Sequence, residues 1–353
     1  MLFLSESNVR QCLSMKDCIE VNRKALASLA SNNGGGGLVP PRIGLQHHSS
    51  SNTTTDVEDW SLFKPAAHYQ QQDGYTSHMG MKLVSVRAEN PSRGLPLVPA
   101  TVLVVDPPTG IVEAVLSATY LTAARTAAGS ALATQLCCRN AKHLVLFGAG
   151  LQAECHIEAI QCVLLQDHPL ERITIINRSR DRAEQLAAAV AVAAQQQSIQ
   201  TNVVLLQDKA AIQRVLQEAD IVVACTNTMT PLFDGAWLKK GCHVNGIGSY
   251  TPNMQEIDKM TVERSTVLID TPEARLVGDL KHLMKEQHHH ATPLLLGDVL
   301  QNNSLLLSDS NNNNSRDCTF YKAVGTAIQD VMTGHLIVQR AKELGIGQYV
   351  DMS

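Results

Sequence analysis

The chain has 353 residues, of which 44% are hydrophobic and 18% are charged, so it is long enough for two domains and for a large core. Its formal charge is −4 and no basic stripe is present, which argues against a nucleic-acid partner. The nine cysteines lie at irregular spacing and form no Cys-x-x-Cys pair. They therefore predict reduced thiols, with neither a disulfide framework nor a metal site.

Targeting and membrane signals are weak. The first ten residues, MLFLSESNVR, lack the basic region and the apolar length of a signal peptide. The apolar stretch Ala187–Ala194 is far shorter than the ~20 residues that cross a bilayer. We expect a cytoplasmic protein without a membrane partner.

Several low-complexity tracts interrupt the chain, and we expect them to enlarge surface loops because they cannot pack a core. A histidine triplet among them has no Cys, Asp or Glu pattern that would complete a metal site, which favours a solvated tract. The tracts are Gly34–Gly37, His47–Asp56, Gln70–Gln72, Gln195–Gln197, His288–His290 and Asn311–Asn314.

The N-terminal third reads as a helix followed by strands. Residues Lys16–Ala30 have helical periodicity, and three Val- and Leu-rich segments follow at Met79–Asn90, Leu97–Asp106 and Ile111–Ser117. The turn Pro107–Gly110 joins the last two as a hairpin. This part predicts a mostly antiparallel sheet.

From Thr119 the pattern changes. An Ala-rich helix, Thr119–Cys138, precedes short apolar strands that alternate with helices: HLVLF, ITIIN, VVLL, IVVAC, HVNGIG and TVLID. This alternation predicts an α/β domain with a doubly wound parallel sheet. The segment Phe320–Gly345 is predicted as one long amphipathic helix that can return to the first domain.

A glycine-rich turn lies between the predicted strand His143–Phe147 and the predicted helix Leu151–Leu165. It has the G-x-G-x-x-A spacing of dinucleotide-binding turns, in which the glycines permit the tight turn and the close approach of a pyrophosphate. The helix N-terminus attracts phosphate. The alternative is a tight turn without a ligand. The predicted cofactor residues here are Gly148, Ala149, Gly150, Gln152 and Ala153.

The end of the next strand bears on which dinucleotide binds. NAD enzymes usually place an acidic residue there for the ribose, but this chain has Asn177, Arg178 and Ser179. Arginine can clamp a 2′-phosphate with paired donors. We therefore favour NADP(H) over NAD(H). The alternative is that Arg178 and Arg180 are solvated residues at the start of the next helix.

Taken together, several blocks resemble the ornithine cyclodeaminase/μ-crystallin family. They follow in family order from about residue 79 to 330 and include MKLVSVRAENPSRGLP, YLTAARTAAGSALAT, LVLFGAGLQAECHIEAI, NRSRDRAEQLA, ADIVVACTNTMTPLFDG, GCHVNGIGSYTPNMQEID and FYKAVGTAIQD. The resemblance implies a homodimer whose discontinuous α+β substrate and dimerisation domain (1–118 plus 318–353) surrounds a Rossmann-type domain (119–317). Family members include ornithine cyclodeaminase, ketimine reductases, alanine dehydrogenases and the hormone-binding μ-crystallin.

The resemblance also implies site residues. Arg42 in PPRIGL and Arg125 in LTAARTAA match the two arginines for the substrate carboxylate, and Lys82 in GMKLVSV matches the active-site lysine. From the residues alone, an arginine among small helical residues points at an anion, because unpaired burial would be costly. The alternatives are a surface arginine at 125 and a snorkelling edge lysine at 82. Further cofactor residues implied by the family are Cys225, Thr226, Asn245, Ile247, Gly248, Ser249, Val324 and Gly325.

One position departs from the cyclodeaminase pattern. Where that enzyme has a catalytic Asp in G-G-D-x-P, this chain has Tyr250 in Gly248–Pro252. A tyrosine has a pKa near 10 and no charge at neutral pH, so it cannot pair with the distal ammonium of ornithine. Tyr250 is predicted to shape the distal end of the substrate.

These observations predict an NADP(H)-dependent oxidoreductase that transfers hydride at Cα of a small imino or amino acid, such as the cyclic ketimine pyrroline-2-carboxylate. Arg42, Lys82 and Arg125 would bind the substrate and assist proton transfer. Two alternatives stay open at this point. One is ornithine cyclodeaminase, which makes proline and ammonia, and the other is a binding protein that holds NADPH and a small ligand without turnover.

Overall fold

The computed structural model describes residues 1–30, 36–46, 59–70, 75–164, 169–193, 199–284, 292–306 and 317–351. Of the low-complexity tracts, only Gly36, Gly37 and Gln70 fall within these ranges. The chain forms two compact units. The first contains Met1–Arg125 with Thr326–Ser353, and the second contains Thr126–Gly325.

The first unit is built on a mixed sheet. Its described strands are β1 (Leu2–Leu4), β2 (Gly37–Leu38), β3 (Ile43–Gln46), β4 (Trp60–Gln70), β5 (Tyr75–Val86), β6 (Ala100–Val105), β7 (Val112–Ser117) and β16 (Gln348–Tyr349). Their order is β16-β1-β7-β6-β5-β4-β2, and β3 also pairs with β4. Only the β1–β7 pairing is parallel among these strands. The predicted antiparallel sheet is confirmed, and β4 extends it beyond the strands predicted.

One face of this sheet is covered by a helix. The helices of the first unit are α1 (Glu6–Cys12), α2 (Met15–Ala27), the N-terminal part of α3 (Thr119–Cys137) and α9 (Ala327–Leu344). Residues Ile328 and Val331 of α9 pack with Ala25 of α2 and Ala66 of β4 in one apolar cluster. Helix α9 ends at Gly345, whose φ of 65° is the left-handed conformation typical of a helix C-terminus.

The second unit has a parallel sheet of order β10-β9-β8-β11-β12-β15-β13-β14. The strands are β8 (His143–Phe147), β9 (Arg172–Asn177), β10 (Gln200–Leu205), β11 (Ile221–Ala224), β12 (His243–Gly246), β13 (Ser265–Ile269), β14 (Leu294–Leu295) and β15 (Cys318–Lys322). The α-helices are the rest of α3, α4 (Leu151–Val163), α5 (Arg180–Ala193), α6 (Lys209–Leu216), α7 (Lys259–Glu263) and α8 (Leu296–Gln301). Strand order reverses between β8 and β11, the position where doubly wound sheets bind ligands. The Rossmann-type fold class is confirmed.

Strand β15 corrects one sequence-based prediction. Residues Cys318–Lys322 pair with β12 and β13 in the parallel sheet, and the helix starts only at Ala327. The prediction of one helix from Phe320 was wrong because the first residues are apolar enough to fill a buried central strand. Residues 318–325 thus belong to the second compact unit, whereas the sequence-based division assigned them to the discontinuous domain.

The core of the second unit lies around its central strands and includes Phe147, Val222, Val244 and Phe320, all fully buried. Phe147 stacks on Phe233 with ring centroids 5.3 Å apart. Among the described residues, no helix is long and apolar enough to cross a bilayer.

Candidate active site

The first unit contains a buried cluster of charged side chains. Asp330 Oδ1 accepts a hydrogen bond from Lys82 Nζ at 2.6 Å and another from Arg125 Nε at 2.9 Å. Lys82 is 1% exposed, Arg125 5% and Asp330 0%. Lys82 Nζ also lies 3.5 Å from Thr122 Oγ1. The two sequence-predicted residues Lys82 and Arg125 are therefore brought together, and the group that joins them is Asp330.

The fold positions these side chains on rigid elements. Lys82 lies in the middle of β5, Arg125 lies in α3, and Asp330 occupies the first turn of α9. Since side chains alternate along a strand, Lys82 shares the face of its directly paired neighbour on β4, Lys64. Lys64 is also buried, with 5% exposure.

Arg42 occupies the edge of the same strand row. It directly precedes β3, whose first residue, Ile43, pairs with Phe63 of β4. The antiparallel register, continued by one residue, places the Arg42 backbone beside Lys64. Arg42 is half-buried, and its backbone position extends the row of cations formed by Lys64 and Lys82.

Burial and mutual charge perturb the cluster. Burial lowers the pKa of Lys82 well below its usual range, and the charge of Arg125 lowers it further, while Asp330 raises it. Burial raises the pKa of Asp330, but the charges of Arg125 and Lys82 outweigh that effect and lower it below its ordinary value of 3.8. Asp330 is thus ionised at neutral pH, and Lys82 is an acid poised to release a proton.

The second oxygen of Asp330 is an acceptor in need of a donor. Oδ2 is buried and has no hydrogen-bond partner among the described residues. An unsatisfied buried carboxylate oxygen is costly, so it favours a ligand that brings an N–H group. Arrangements with several cations around such a carboxylate suit a small molecule that carries both a carboxylate and a protonated nitrogen.

Asp330 and Lys64 were not singled out by the sequence analysis. Asp330 lies within the family-like block FYKAVGTAIQD, and its acidic side chain in an otherwise apolar helical stretch was a usable signal. Lys64 lies in WSLFKPAAHYQ, where one cation beside a proline gives no sequence signal of burial.

The second unit carries the glycine turn. Gly148 has a φ of 112°, donates its N–H to Ile176 O of β9 at 2.9 Å, and lies so close to the Cys225 carbonyl that a Cβ would approach that oxygen to 2.9 Å. Gly150 precedes α4, and a Cβ there would meet no atom within 4 Å. The N-terminus of α4, which has no side-chain cap, thus faces open space where a phosphate fits.

Other predicted residues of this turn lie along α4. Ala149 is half-buried, and Ala153 is fully buried, as close helix–strand packing requires. Gln152 accepts a hydrogen bond at its carbonyl from His156 Nδ1, while its side-chain Oε1 is buried without a hydrogen-bond partner in the described part of the chain. The turn therefore retains unsatisfied polar capacity suited to a polar ligand.

The three residues after β9 lie at the carboxyl end of that strand. Asn177 Nδ2 donates to Ser179 O at 2.9 Å, which orders the turn into α5. Arg178 is exposed, and Ser179 is half-buried. Because Gly148 bonds to the residue before Asn177, the glycine turn and the strand end are neighbours.

A buried carboxylate links the ends of β11 and β12. Glu256 accepts hydrogen bonds from Thr226 N and Oγ1 at 2.5 and 2.7 Å and from Gly248 N at 2.5 Å. Burial, followed by the charge of Asp279, raises the pKa of Glu256 to about 7. Glu256 thus holds two of the predicted cofactor residues in place.

The remaining predicted residues have mainly internal partners. Asn245 Nδ2 donates to Thr134 Oγ1, Ser249 Oγ donates to Met254 O, and Cys225 Sγ donates to Phe147 O. The Ile247 N–H bonds to Ala224 O, and those of Val324 and Gly325 both donate to Asp270 Oδ2. Tyr250 follows β12, and burial raises its pKa to about 12. Its hydroxyl is therefore neutral at physiological pH.

Comparison with known proteins places these features in a family. The model of the ornithine cyclodeaminase/mu-crystallin family matches residues 2–345. An uncharacterized cyclodeaminase of Dictyostelium discoideum is 30% identical over 100% of both chains, and a Delta(1)-pyrroline-2-carboxylate reductase of Bacillus cereus is 30% identical over 77% of this chain and 80% of its own. The structure of Thermococcus litoralis Delta(1)-pyrroline-2-carboxylate reductase in complex with NADH and L-proline has a TM-score of 0.81 and 27% identity, covering 99% of this chain and 100% of that one. The chain belongs to the ornithine cyclodeaminase/mu-crystallin family.

Proposed function

We propose that this protein is an NAD(P)H-dependent reductase that acts at Cα of a small α-imino acid, with the cyclic ketimine pyrroline-2-carboxylate as the reference substrate. The observation that carries this proposal is the buried Lys82–Asp330–Arg125 cluster with its unsatisfied Asp330 oxygen. The pyrroline-2-carboxylate reductases among its relatives support the same choice.

Roles for the cluster follow from its chemistry. Arg125, assisted by Arg42, binds the substrate carboxylate through charge-assisted hydrogen bonds. Lys82, whose pKa is lowered by burial, donates a proton to the imine nitrogen. Asp330 keeps Lys82 and Arg125 oriented, and its Oδ2 accepts the N–H of the protonated imine. Each role uses an atom of this chain whose position is set by β5, α3 or α9.

A nicotinamide cofactor, when bound, supplies the hydride that reduces the imine carbon. The glycine turn fits its pyrophosphate, since Gly150 leaves open space before the uncapped N-terminus of α4. The exposed Arg178 at the end of β9 supports NADP(H) over NAD(H), because a guanidinium there can pair with a 2′-phosphate. The cofactor residues named from the sequence are proposed for this role.

The decisive assay compares three outcomes with purified protein. NADPH oxidation with pyrroline-2-carboxylate is expected, with little proline or ammonia formed from ornithine. Brisk conversion of ornithine without imine reduction would instead establish cyclodeamination. Tight NADPH binding without turnover of either substrate would establish a binding protein.

We also propose a homodimer. Ile43 of β3 pairs with Phe63 of β4, which in turn pairs with Leu83 of β5, and the alternation of side chains puts this row on the face opposite Lys64 and Lys82. Ile43 and Leu83 are exposed, and a row of exposed apolar side chains favours association. Light scattering is expected to give twice the chain mass of 38.2 kDa, and Ile43→Glu should reduce it to one chain.

A cytoplasmic location is proposed as well. All the cysteines are free thiols, which supports a reducing compartment. A fluorescent fusion that colocalised with secretory membranes would overturn this assignment.

A further inference from the structure

We propose that Lys64 binds a second carboxylate of the substrate, so that the preferred substrates are α-imino dicarboxylic acids rather than monocarboxylic ones. This inference rests on the proposed reductase function and narrows its substrate class. It assigns a specificity role to a lysine that neither the glycine turn nor the Lys82–Asp330–Arg125 cluster requires.

The register of two long strands places Lys64 beside the cluster. Lys64 and Lys82 are directly paired residues of β4 and β5, so their side chains leave the sheet on the same face, with Cβ atoms ~5 Å apart. Two residues further along β4, Ala66 packs in the apolar cluster formed with Val331 of α9. Lys64 is therefore on the face that α9 covers and to which Asp330 contributes its carboxylate.

The charge of Lys64 acts on the cluster. It lowers the pKa of Lys82, as like charges do, and it also contributes to the lowered pKa of Asp330. Both effects need a separation short enough for Coulomb interaction in a region of low solvent access. Lys64 thus belongs to the same electrostatic unit as Lys82, Arg125 and Asp330.

The charge balance of these four side chains identifies the class of ligand. With Lys82 protonated, three cations face one carboxylate, which leaves a net charge of +2 on the four groups. Buried charge without compensation is costly. A monocarboxylate leaves one positive charge in excess, whereas a dicarboxylate neutralises the set. Arg42, at the edge of the same row, adds further cationic character and shifts the balance in the same direction.

A matched pair of cyclic imines tests the assignment: 1-pyrroline-2-carboxylate and 1-pyrroline-2,5-dicarboxylate, which differ by one carboxylate. Initial rates of NADPH oxidation give kcat/KM for each, and the parent protein is expected to prefer the dicarboxylate. In Lys64→Met the ratio of the two kcat/KM values should fall about tenfold to a hundredfold, the range for losing a hydrogen bond between charged groups. Lys64→Arg, which retains the charge, should restore most of the ratio.

A control separates specificity from general damage to the site. Arg125→Lys should lower kcat/KM for both imines by similar factors and leave their ratio unchanged. If the parent shows no preference for the dicarboxylate, or if Lys64→Met lowers both rates equally, Lys64 is a structural cation and the inference is wrong, while the reductase function stands.

A binding measurement decides the case in which no imine is reduced. The rise in melting temperature with L-proline is compared with that for pyrrolidine-2,5-dicarboxylate, in the parent and in Lys64→Met. A larger shift for the dicarboxylate that disappears in Lys64→Met would support the second carboxylate site even though the reductase proposal had failed. Equal shifts in both proteins would overturn the assignment of Lys64.

Discussion

Replacing Asp330 by asparagine should destabilise the first unit strongly and in a pH-dependent way. The substitution keeps the shape of the side chain but removes the charge that pairs with Lys82 at 2.6 Å and with Arg125 at 2.9 Å. Both cations stay buried, at 1% and 5% exposure. Removing one partner from a buried ion pair costs ~3–5 kcal/mol, so we expect a loss of that size at pH 7.

The pH dependence follows from Lys82. Its folded pKa already lies well below the ordinary 10.5, and Asp330 is a group that raises it, so the variant should bind the Lys82 proton more weakly still. Where folded Lys82 is neutral and unfolded lysine is protonated, the unfolded state holds more protons and stability rises with pH. The deficit of Asp330→Asn relative to the parent should therefore shrink between pH 7 and pH 10.

The parent protein behaves differently in acid. The folded pKa of Asp330 is below its ordinary value of 3.8. Its stabilising contribution is therefore complete above the unfolded pKa and is lost as the pH falls through the folded value. Asp330→Asn should lack this acid-dependent loss.

Urea unfolding followed by tryptophan fluorescence measures these changes. A Trp237→Phe background leaves Trp60 of β4 as the reporter of the first unit. Asp106→Asn, in the half-exposed turn after β6, is the matched control and should change stability by less than about 1 kcal/mol. An Asp330→Asn protein as stable as its parent at pH 7, or one with a deficit that is constant up to pH 10, would refute the reasoning.

Three further predictions concern the second unit. Arg178→Ala should raise KM for NADPH by about tenfold or more, the equivalent of ~1.5–3 kcal/mol, and leave NADH nearly unchanged, whereas Arg182→Ala on the exposed side of α5 should affect neither; equal effects on both cofactors would contradict the NADP assignment. Tyr250→Phe should change imine reduction by less than about threefold, since the hydroxyl is neutral, and a complete loss of activity would show that it takes part in the chemistry. Because the pKa of Glu256 is about 7, its protonation should weaken its hydrogen bond to Thr226 or Gly248, so NADPH affinity measured by fluorescence titration should fall as the pH drops through 7; Glu256→Gln should remove this dependence, and a variant that retained it would exclude Glu256 as its cause.

Local features were predictable because their physics is local. The glycine turn needs only a strand, two glycines and a helix start in succession, and all three lie within Lys142–Ile160. The alternation of apolar strands and helices from Thr119 likewise predicted the parallel sheet. Helix α2, predicted at Lys16–Ala30 and observed at Met15–Ala27, has a serine N-cap that sequence rules can locate to within a residue or two.

Non-local pairings were not predictable in the same way. Strand β4 is interrupted by Lys64 and Pro65, so its sequence resembles a solvated segment, yet it pairs along nearly its whole length with β5. Strands β1 and β16 meet through Leu2–Tyr349 and Phe3–Gln348, near opposite ends of the chain, and neither is long enough to show a periodic pattern. Tertiary contact, rather than local propensity, makes these segments strands.

The candidate site combines both situations. Lys82 and Asp330 are 248 residues apart in sequence, and Arg125 and Asp330 are 205 apart, so no spacing rule connects them. The family resemblance supplied the two cations, because each lies in a short block that can be matched alone. The carboxylate that neutralises them, and the second lysine on the same face, become visible only when the register of β4 with β5 and the packing of α9 are known. In a buried site the ionisation of each group depends on the others, so charge balance is a property of the folded cluster and not of any one segment. The structure therefore changes the question from which residues match the family to which ligand charge this set of residues can neutralise.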